Sequence, residues 1–159
     1  MPCDDQRSDQ NVNEYVNILN DIAFLSLSSD VDSIIVGGDF NTNFSRGTAQ
    51  TRALVNFINE YGFSSCCNDA LSTISYSYCS KGSNVKSLID HFLLTDNDSL
   101  LQTYTAIASV KNPSDHIAIK CVGELRKLYR AGMIASRVTF ALLCSATSYG
   151  WTTGVLSKV

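Results

Sequence analysis

No Cys-x-x-Cys pair occurs in this sequence, although it holds six cysteines, at positions 3, 66, 67, 79, 121 and 144. Neither of its two histidines, His91 and His116, stands at metal-ligand spacing from them. These absences argue against a structural zinc site. Cys66 and Cys67 are adjacent, which is awkward for a disulfide framework. Residues 1–10 are polar with no apolar stretch behind them, so no signal peptide is expected. The cysteines therefore read as reduced thiols of a nuclear or cytoplasmic protein, not a secreted one. Without a secretory signal the triplets Asn43-Phe44-Ser45 and Asn97-Asp98-Ser99 carry little meaning as glycosylation acceptors.

A basic excess is also missing: 12 Lys plus Arg stand against 15 Asp plus Glu, for a net charge of -3. Proteins that only coat nucleic acid are usually basic, because neutralising phosphates drives that binding. Any contact with nucleic acid here must be local, or assisted by a metal ion. Long apolar runs are absent too. Residues 133–149 are moderately apolar, but Arg137 and several serines and threonines interrupt them. A bilayer span needs roughly 20 mostly apolar residues, so membrane association is not expected. There is no internal repeat and no low-complexity segment. What remains suits a folded domain: hydrophobic residues make up 45% and charged residues 17%, enough apolar material for a core.

Along the chain, residues 11–27 read as a helix, with Val12, Tyr15, Val16, Leu19, Ile22 and Ala23 lining one face and Ser8 or Asp9 as its cap. Residues 33–38 form a short β-branched run ended by glycines, expected as a strand buried on both faces. A second helix is expected over 48–61, with Leu54, Phe57, Ile58 and Tyr61 inward and Gly62 as its stop. Residues 73–78 alternate as a strand does, and 87–94, 104–110 and 116–122 read as further strands. Residues 124–131 read as a helix with three basic residues. The division expected is a domain over 1–122 and a tail, helical at least in part, over 123–159. Helices and strands first, then mostly strands, fit a layered α/β domain with a largely antiparallel or mixed sheet.

Three polar segments carry the chemistry. In Val36-Gly37-Gly38-Asp39-Phe40-Asn41 a strand delivers an acid at its end, and Asn41 follows two residues later on the same side. Asp39 can hold or deprotonate water, and Asn41 can contact a phosphate oxygen. Taken alone, the segment is equally a strand-end turn. In Ser87-Leu88-Ile89-Asp90-His91-Phe92-Leu93-Leu94, Asp90 is an acid inside an apolar strand and needs a partner there. His91 alternates to the opposite side and reads as an outward or core-edge histidine. In Asn112-Pro113-Ser114-Asp115-His116, the histidine can be the partner of Asp90, and Asp115 is left to bind a hard cation. That segment by itself reads as a polar turn.

Taken together, Gly-Asp-Phe-Asn, then Ser-Leu-Ile-Asp-His, then Ser-Asp-His, the three resemble the endonuclease/exonuclease/phosphatase superfamily. Ser87-Leu88-Ile89-Asp90-His91-Phe92-Leu93-Leu94 is most similar to the endonuclease domains of non-LTR retrotransposons, and Met1-Pro2-Cys3-Asp4-Asp5 resembles the stretch after that family's tyrosine. The resemblance covers residues 1–122. It implies a four-layered α/β sandwich and hydrolysis of a DNA phosphodiester with Mg²⁺ or Mn²⁺. It further implies that Asp39 orients or deprotonates water, Asn41 binds the scissile phosphate, and His116 contacts the phosphate and stabilises the transition state. Asp90 would orient His116, and Asp115 would help hold the metal.

Members of that family begin with an Asn-bearing strand and a Glu-ending strand, and the glutamate is the main metal ligand. Neither has a counterpart in this sequence, since Glu14, Glu60 and Glu124 fall on expected helices. The expectation is therefore a truncated domain, impaired alone, whose partners are DNA and either a missing N-terminal half or the reverse transcriptase of a full-length element. Two alternatives stand beside it: a phosphatase or lipid phosphodiesterase of the same superfamily, and a non-catalytic interaction remnant.

Overall fold

The computed structural model describes residues 9–29, 34–68, 73–95, 100–107, 114–129 and 132–142. The chain has a mixed α/β fold with small antiparallel sheets. Helix α1 spans Asp9–Ser28 and buries Tyr15, Leu19 and Ala23, spaced four apart on one face as expected. Helix α2 spans Ala49–Tyr61 and buries Leu54 and Phe57, while Ile58 and Tyr61 pack half-buried beside them. Thr48 caps its start by accepting from the Thr51 amide at 3.1 Å. Gly62 ends it in the left-handed region at φ 68°, which a residue with a Cβ adopts only under strain.

Strand β1 (Ile35–Asp39) leads out of the α1 segment, and β2 is the short pair Ser64–Ser65. Strands β3 (Tyr78–Cys79) and β4 (Lys86–Ser87) form a hairpin, and β5 spans Asp90–Leu94. β5 lies between β1 and β2, antiparallel to both. All five of its residues are buried. β1, expected to be buried on both faces, is only half-buried throughout. The reason is its place in the sheet: among the described residues it pairs along one edge only, with β5.

Side-chain alternation makes β5 the divider of two cores. Leu93 packs with Tyr15, Leu19, Phe40, Leu54 and Phe57 beneath the helices. Phe92 and Leu94 turn the other way and pack with Cys66, Tyr104, Ile119 and Cys121. Truncating a side chain such as Leu93, which is fully buried, costs about 2–5 kcal/mol in cores of this kind. Within that second core the sulfurs of Cys66 and Cys121 stand 3.5 Å apart, beyond the length of a disulfide bond.

A third sheet has the order β6 (Leu100–Ala106), β7 (Ile119–Tyr129) and β8 (Gly132–Leu142). This corrects the expectation of a helix over 124–131. Over 124–129 the backbone is strand, part of a run paired residue for residue with β8 from Ile119↔Leu142 to Tyr129↔Gly132, and residues 130 and 131 lie outside the described residues. Pairing along such a continuous ladder overrides the modest helix propensity of Glu, Leu, Arg and Lys. The strand expected over 73–78 is also shorter than its alternation suggested. Only Tyr78 and Cys79 join a ladder, and the residues before them make single bonds, Thr73 N–H to the Tyr104 carbonyl and Ser77 N–H to the Ser87 carbonyl. Residues 1–8, 108–113 and 143–159 lie outside the described residues, and with them the Met1-Pro2-Cys3 stretch, Asn112, Pro113 and most of the tail. No described helix is long and apolar enough to cross a membrane.

Candidate active site

Asp39 is the last residue of β1 and Asp90 the first of β5, and the antiparallel register sets them directly opposite each other. Two carboxylates at one cross-strand position repel, so something must compensate. His116 does. Its Nδ1 stands 3.0 Å from Asp90 Oδ2 and 3.3 Å from Oδ1, and its Nε2 stands 4.0 Å from Asp39 Oδ2. Ligand atoms of Asp39, Asp90 and His116 all lie within 4.8 Å of one another.

Each of the three is fixed by local structure. The Asp39 carboxylate accepts from the Asn41 amide at 2.8 Å, a turn in which Asn41 takes φ 50°. Asn tolerates that left-handed conformation better than other residues with a Cβ. Asp90 is fully buried, and its backbone is held from two sides. Ser77 Oγ accepts from the amides of Ile89 and Asp90 at 3.1 and 3.0 Å, and the Tyr104 hydroxyl donates to the Asp90 carbonyl at 3.0 Å. Burial pushes the Tyr104 phenol well up, so it stays protonated and keeps donating.

His116 is carried to the site by the β3–β4 hairpin. The Ile117 amide donates to the Ser77 carbonyl at 2.6 Å, the Cys79 amide donates to the Asp115 carbonyl at 2.8 Å, and Tyr78 pairs with His116 across an isolated bridge. The Tyr78 ring meets the imidazole edge-on at 5.2 Å, and Ser114 Oγ accepts from the His116 amide. Ser77 is thus joined to both halves of the Asp90–His116 pair.

The electrostatics follow from this geometry. The His116 imidazole is raised above its usual range, mainly by its hydrogen bond to Asp90, with burial working against it. The carboxyl of Asp39 is also raised, first by burial and then by the charge of Asp90. Asp90 thus contributes to both shifts, raising the imidazole it bonds and the carboxyl it faces.

The structure brings Asp39, Asp90 and His116 together, with Asn41 beside them. Asp115 is next to His116 in the chain and its charge helps raise that imidazole, but its carboxylate is not in the three-residue group. His91 departs from the expected outward or core-edge position: it is fully buried, with Nε2 2.7 Å from the Thr42 carbonyl. Phe40 and Phe44, supplied by the loop after β1, enclose it at ring distances of 5.8 and 4.7 Å. Ser77 and Tyr104 do not stand out in the sequence. Both sit in ordinary alternating runs, and nothing in those runs distinguishes a hydroxyl aimed at a neighbouring backbone.

No protein-family model matches this chain, and no curated protein does. Among solved structures it is similar to a mannosyl-6-phosphatase from Bacteroides thetaiotaomicron, at 13% identity and a TM-score of 0.46, over 87% of this chain and 48% of that one. It is also similar to an endonuclease/exonuclease/phosphatase family protein from the same organism, at 16% identity and a TM-score of 0.47, over 74% of this chain and 45% of that one. The chain thus spans about half the length of the structures it matches.

Proposed function

We propose that Asp39, Asn41, Asp90 and His116 form a phosphodiester-hydrolysing site descended from a retrotransposon-type endonuclease, with DNA as its substrate. The observation that carries this reading is convergence. Three residues from separate segments, 39, 90 and 116, meet within 4.8 Å, two of them acids. In the reaction, Asp39 takes a proton from the attacking water, and His116, held by Asp90, donates to a phosphate oxygen. Asn41 contacts the same phosphate. DNA is favoured over other phosphodiesters by the wording Ser87-Leu88-Ile89-Asp90-His91, which resembles that endonuclease group.

The donor set fits a hard dication in part. Asp39 is the accessible carboxylate, whereas Asp90 is fully buried and both its oxygens face His116. Mg²⁺ or Mn²⁺ favours about six oxygen ligands. Asp39 would hold such an ion with help from water and substrate oxygens, Asp90 would add its charge from behind, and Asp115 is close enough in the chain to add its own. A bound dication would supply neutralisation of the developing phosphoryl charge. With so few protein ligands, turnover by this chain alone is expected to be weak.

The test is nicking of supercoiled plasmid in Mg²⁺ or Mn²⁺ by the chain and by Asp39→Ala and His116→Ala. Slow, metal-dependent nicking lost in both variants supports the reading. Nicking that survives both substitutions overturns it. Mn²⁺ broadening of the His116 ring signals, lost in Asp39→Ala, reports the ion independently of turnover. A phosphatase or lipid phosphodiesterase would instead turn over inositol phosphates or sphingomyelin.

A further inference from the structure

Of the two histidines, His91 is the one that the phosphate chemistry leaves unused. It is fully buried, and a buried polar ring is costly unless it is hydrogen-bonded. Its Nε2 lies 2.7 Å from the Thr42 carbonyl. A carbonyl can only accept, so Nε2 carries a proton and donates it there. Nδ1 has no hydrogen-bond partner among the described residues. The hydrogen bonding of the ring therefore goes to one atom, the carbonyl of the residue that follows Asn41.

That carbonyl lies just past the end of the β1–β5 ladder. Asp39 is the last paired residue, and the Phe40 amide still donates to the Ile89 carbonyl at 2.8 Å. Asn41 then takes φ 50°, which turns the chain out of the strand. Thr42 is fully buried, so its carbonyl needs a donor in place of the ladder. His91 is that donor. Thr42 Oγ1 adds two further contacts, each of 2.9 Å, to the Phe40 carbonyl and to the Tyr15 hydroxyl of α1. Asn41 is thus a single left-handed residue between two held ones. Three consecutive residues at the entry to β5 grip the parts of the site: Ile89 takes Phe40, Asp90 takes His116, and His91 takes Thr42. Alternation sends the Asp90 and His91 side chains to opposite faces, so one dipeptide reaches both His116 and the Asn41 turn.

We infer that His91 is a positioning residue: by holding the Thr42 carbonyl it fixes the backbone of Asn41, and with it the side chain that contacts the phosphate. The chemical purpose of this clamp rests on the hydrolytic reading, while the clamp itself is measured without turnover. Without it, Asn41 is free to relax to the negative φ that L residues prefer. Its amide then leaves the Asp39 carboxylate, which it meets at 2.8 Å.

Two polar substitutions separate the clamp from general packing. His91→Gln places an amide N–H at the reach of Nε2, whereas His91→Asn reaches only as far as Nδ1. The measurement is hydrogen exchange of the Asn41 amide in the whole chain, taken relative to the amide of the fully buried Leu54 in α2 as a gauge of overall stability. In His91→Asn the relative protection of Asn41 is expected to fall by roughly tenfold, the scale of one lost hydrogen bond. In His91→Gln it should stay near the wild-type value, and metal-dependent plasmid nicking should follow the same order. The ¹⁵N signals of the wild-type ring give a second measurement that needs no variant to fold, and they should show a proton on Nε2 that exchanges slowly. The inference is overturned by a bare Nε2, by equal Asn41 protection in the two variants, or by undiminished nicking in a His91→Asn chain whose Asn41 protection has fallen. A wild-type chain that does not nick at all sinks the hydrolytic reading, and the exchange results still decide the clamp.

Discussion

Asp90 and His116 lie 26 positions apart in the chain, yet Asp90 Oδ2 and His116 Nδ1 stand 3.0 Å from each other, with the carboxylate fully buried and the imidazole partly open. A buried carboxylate is tolerated only when it is paired and hydrogen-bonded. Here the partner is an imidazole whose other nitrogen faces Asp39. The three residues form a carboxylate–imidazole–carboxylate chain in which the inner acid raises the imidazole.

Removing the inner charge should release the imidazole. The Asp90 hydrogen bond is the main cause of the raised His116 value, so Asp90→Asn is expected to lower it, as followed by the ring proton shifts against pH. Any metal-dependent nicking should fall by roughly 10²-fold or more, the usual scale for a lost proton-transfer arrangement. The link to stability has a definite sign. A histidine raised in the folded state binds its proton more tightly there than in the unfolded chain. Its contribution is complete below pH 6.5 and is lost as pH rises through the folded value. Wild type should therefore lose stability over that window, measured by urea midpoints, and Asp90→Asn should lose the dependence.

Asp39 has the opposite relation to its charge. Its carboxyl is raised by burial and by Asp90, so the folded state favours the protonated form. Stability from this group is complete below pH 3.8 and falls as pH rises from there through the raised value. Asp39→Asn keeps an oxygen for the Asn41 amide and removes the like-charge repulsion. It should stabilise the chain at neutral pH, on the order of 0.5–2 kcal/mol as is common for such relief, while abolishing nicking. A variant less stable than wild type in thermal denaturation at pH 7 would contradict this account of the site.

Ser77 should be the most sensitive supporting position. Its hydroxyl oxygen accepts two buried amides, those of Ile89 and Asp90. Ser77→Ala strands both, at about 1–3 kcal/mol for each unsatisfied group, so a loss of about 2–6 kcal/mol is expected in urea denaturation. Because Ser77 also accepts from the Ile117 amide through its carbonyl, the pH titration of His116 should change in the same variant. Ser77→Thr keeps the oxygen and should restore both.

How much of this was legible in the sequence depends on the range of the interaction. The helices were read from local periodicity, because Tyr15, Leu19 and Ala23 repeat at the helical interval whatever they pack against. Asp90 stood out because an acid in an apolar run needs a partner, and His116 was the residue named for it. The β7–β8 ladder is not legible: residues 124–129 satisfy helix propensity locally, and only their pairing with β8 makes them strand. The burial of His91 is illegible for a related reason. Its burial comes from Phe40 and Phe44, which belong to a loop some 50 positions earlier and leave no mark on the β5 pattern.

Gly37 offers a test of how closely the sheet and the site are coupled. It sits opposite Phe92 in the β1–β5 register, and a Cβ added there would lie 2.6 and 2.8 Å from two carbons of the Phe92 ring. Such distances require the ring to move. The ring is buried and meets Tyr104 edge-on at 6.4 Å, and Tyr104 in turn donates to the Asp90 carbonyl. Gly37→Ala should therefore cost about 1–3 kcal/mol, as overpacking does, and should also perturb His116 through Asp90. Phe92→Leu removes the obstructing ring atoms at the cost of a cavity. In the double variant the two losses should not add, because the leucine leaves room for the new methyl group. A double-mutant cycle is expected to give a favourable coupling above ~0.5 kcal/mol. Strict additivity would mean that β1 shifts as a whole to admit the methyl group, and that the packing behind Asp90 is looser than the Phe92–Tyr104 contact implies.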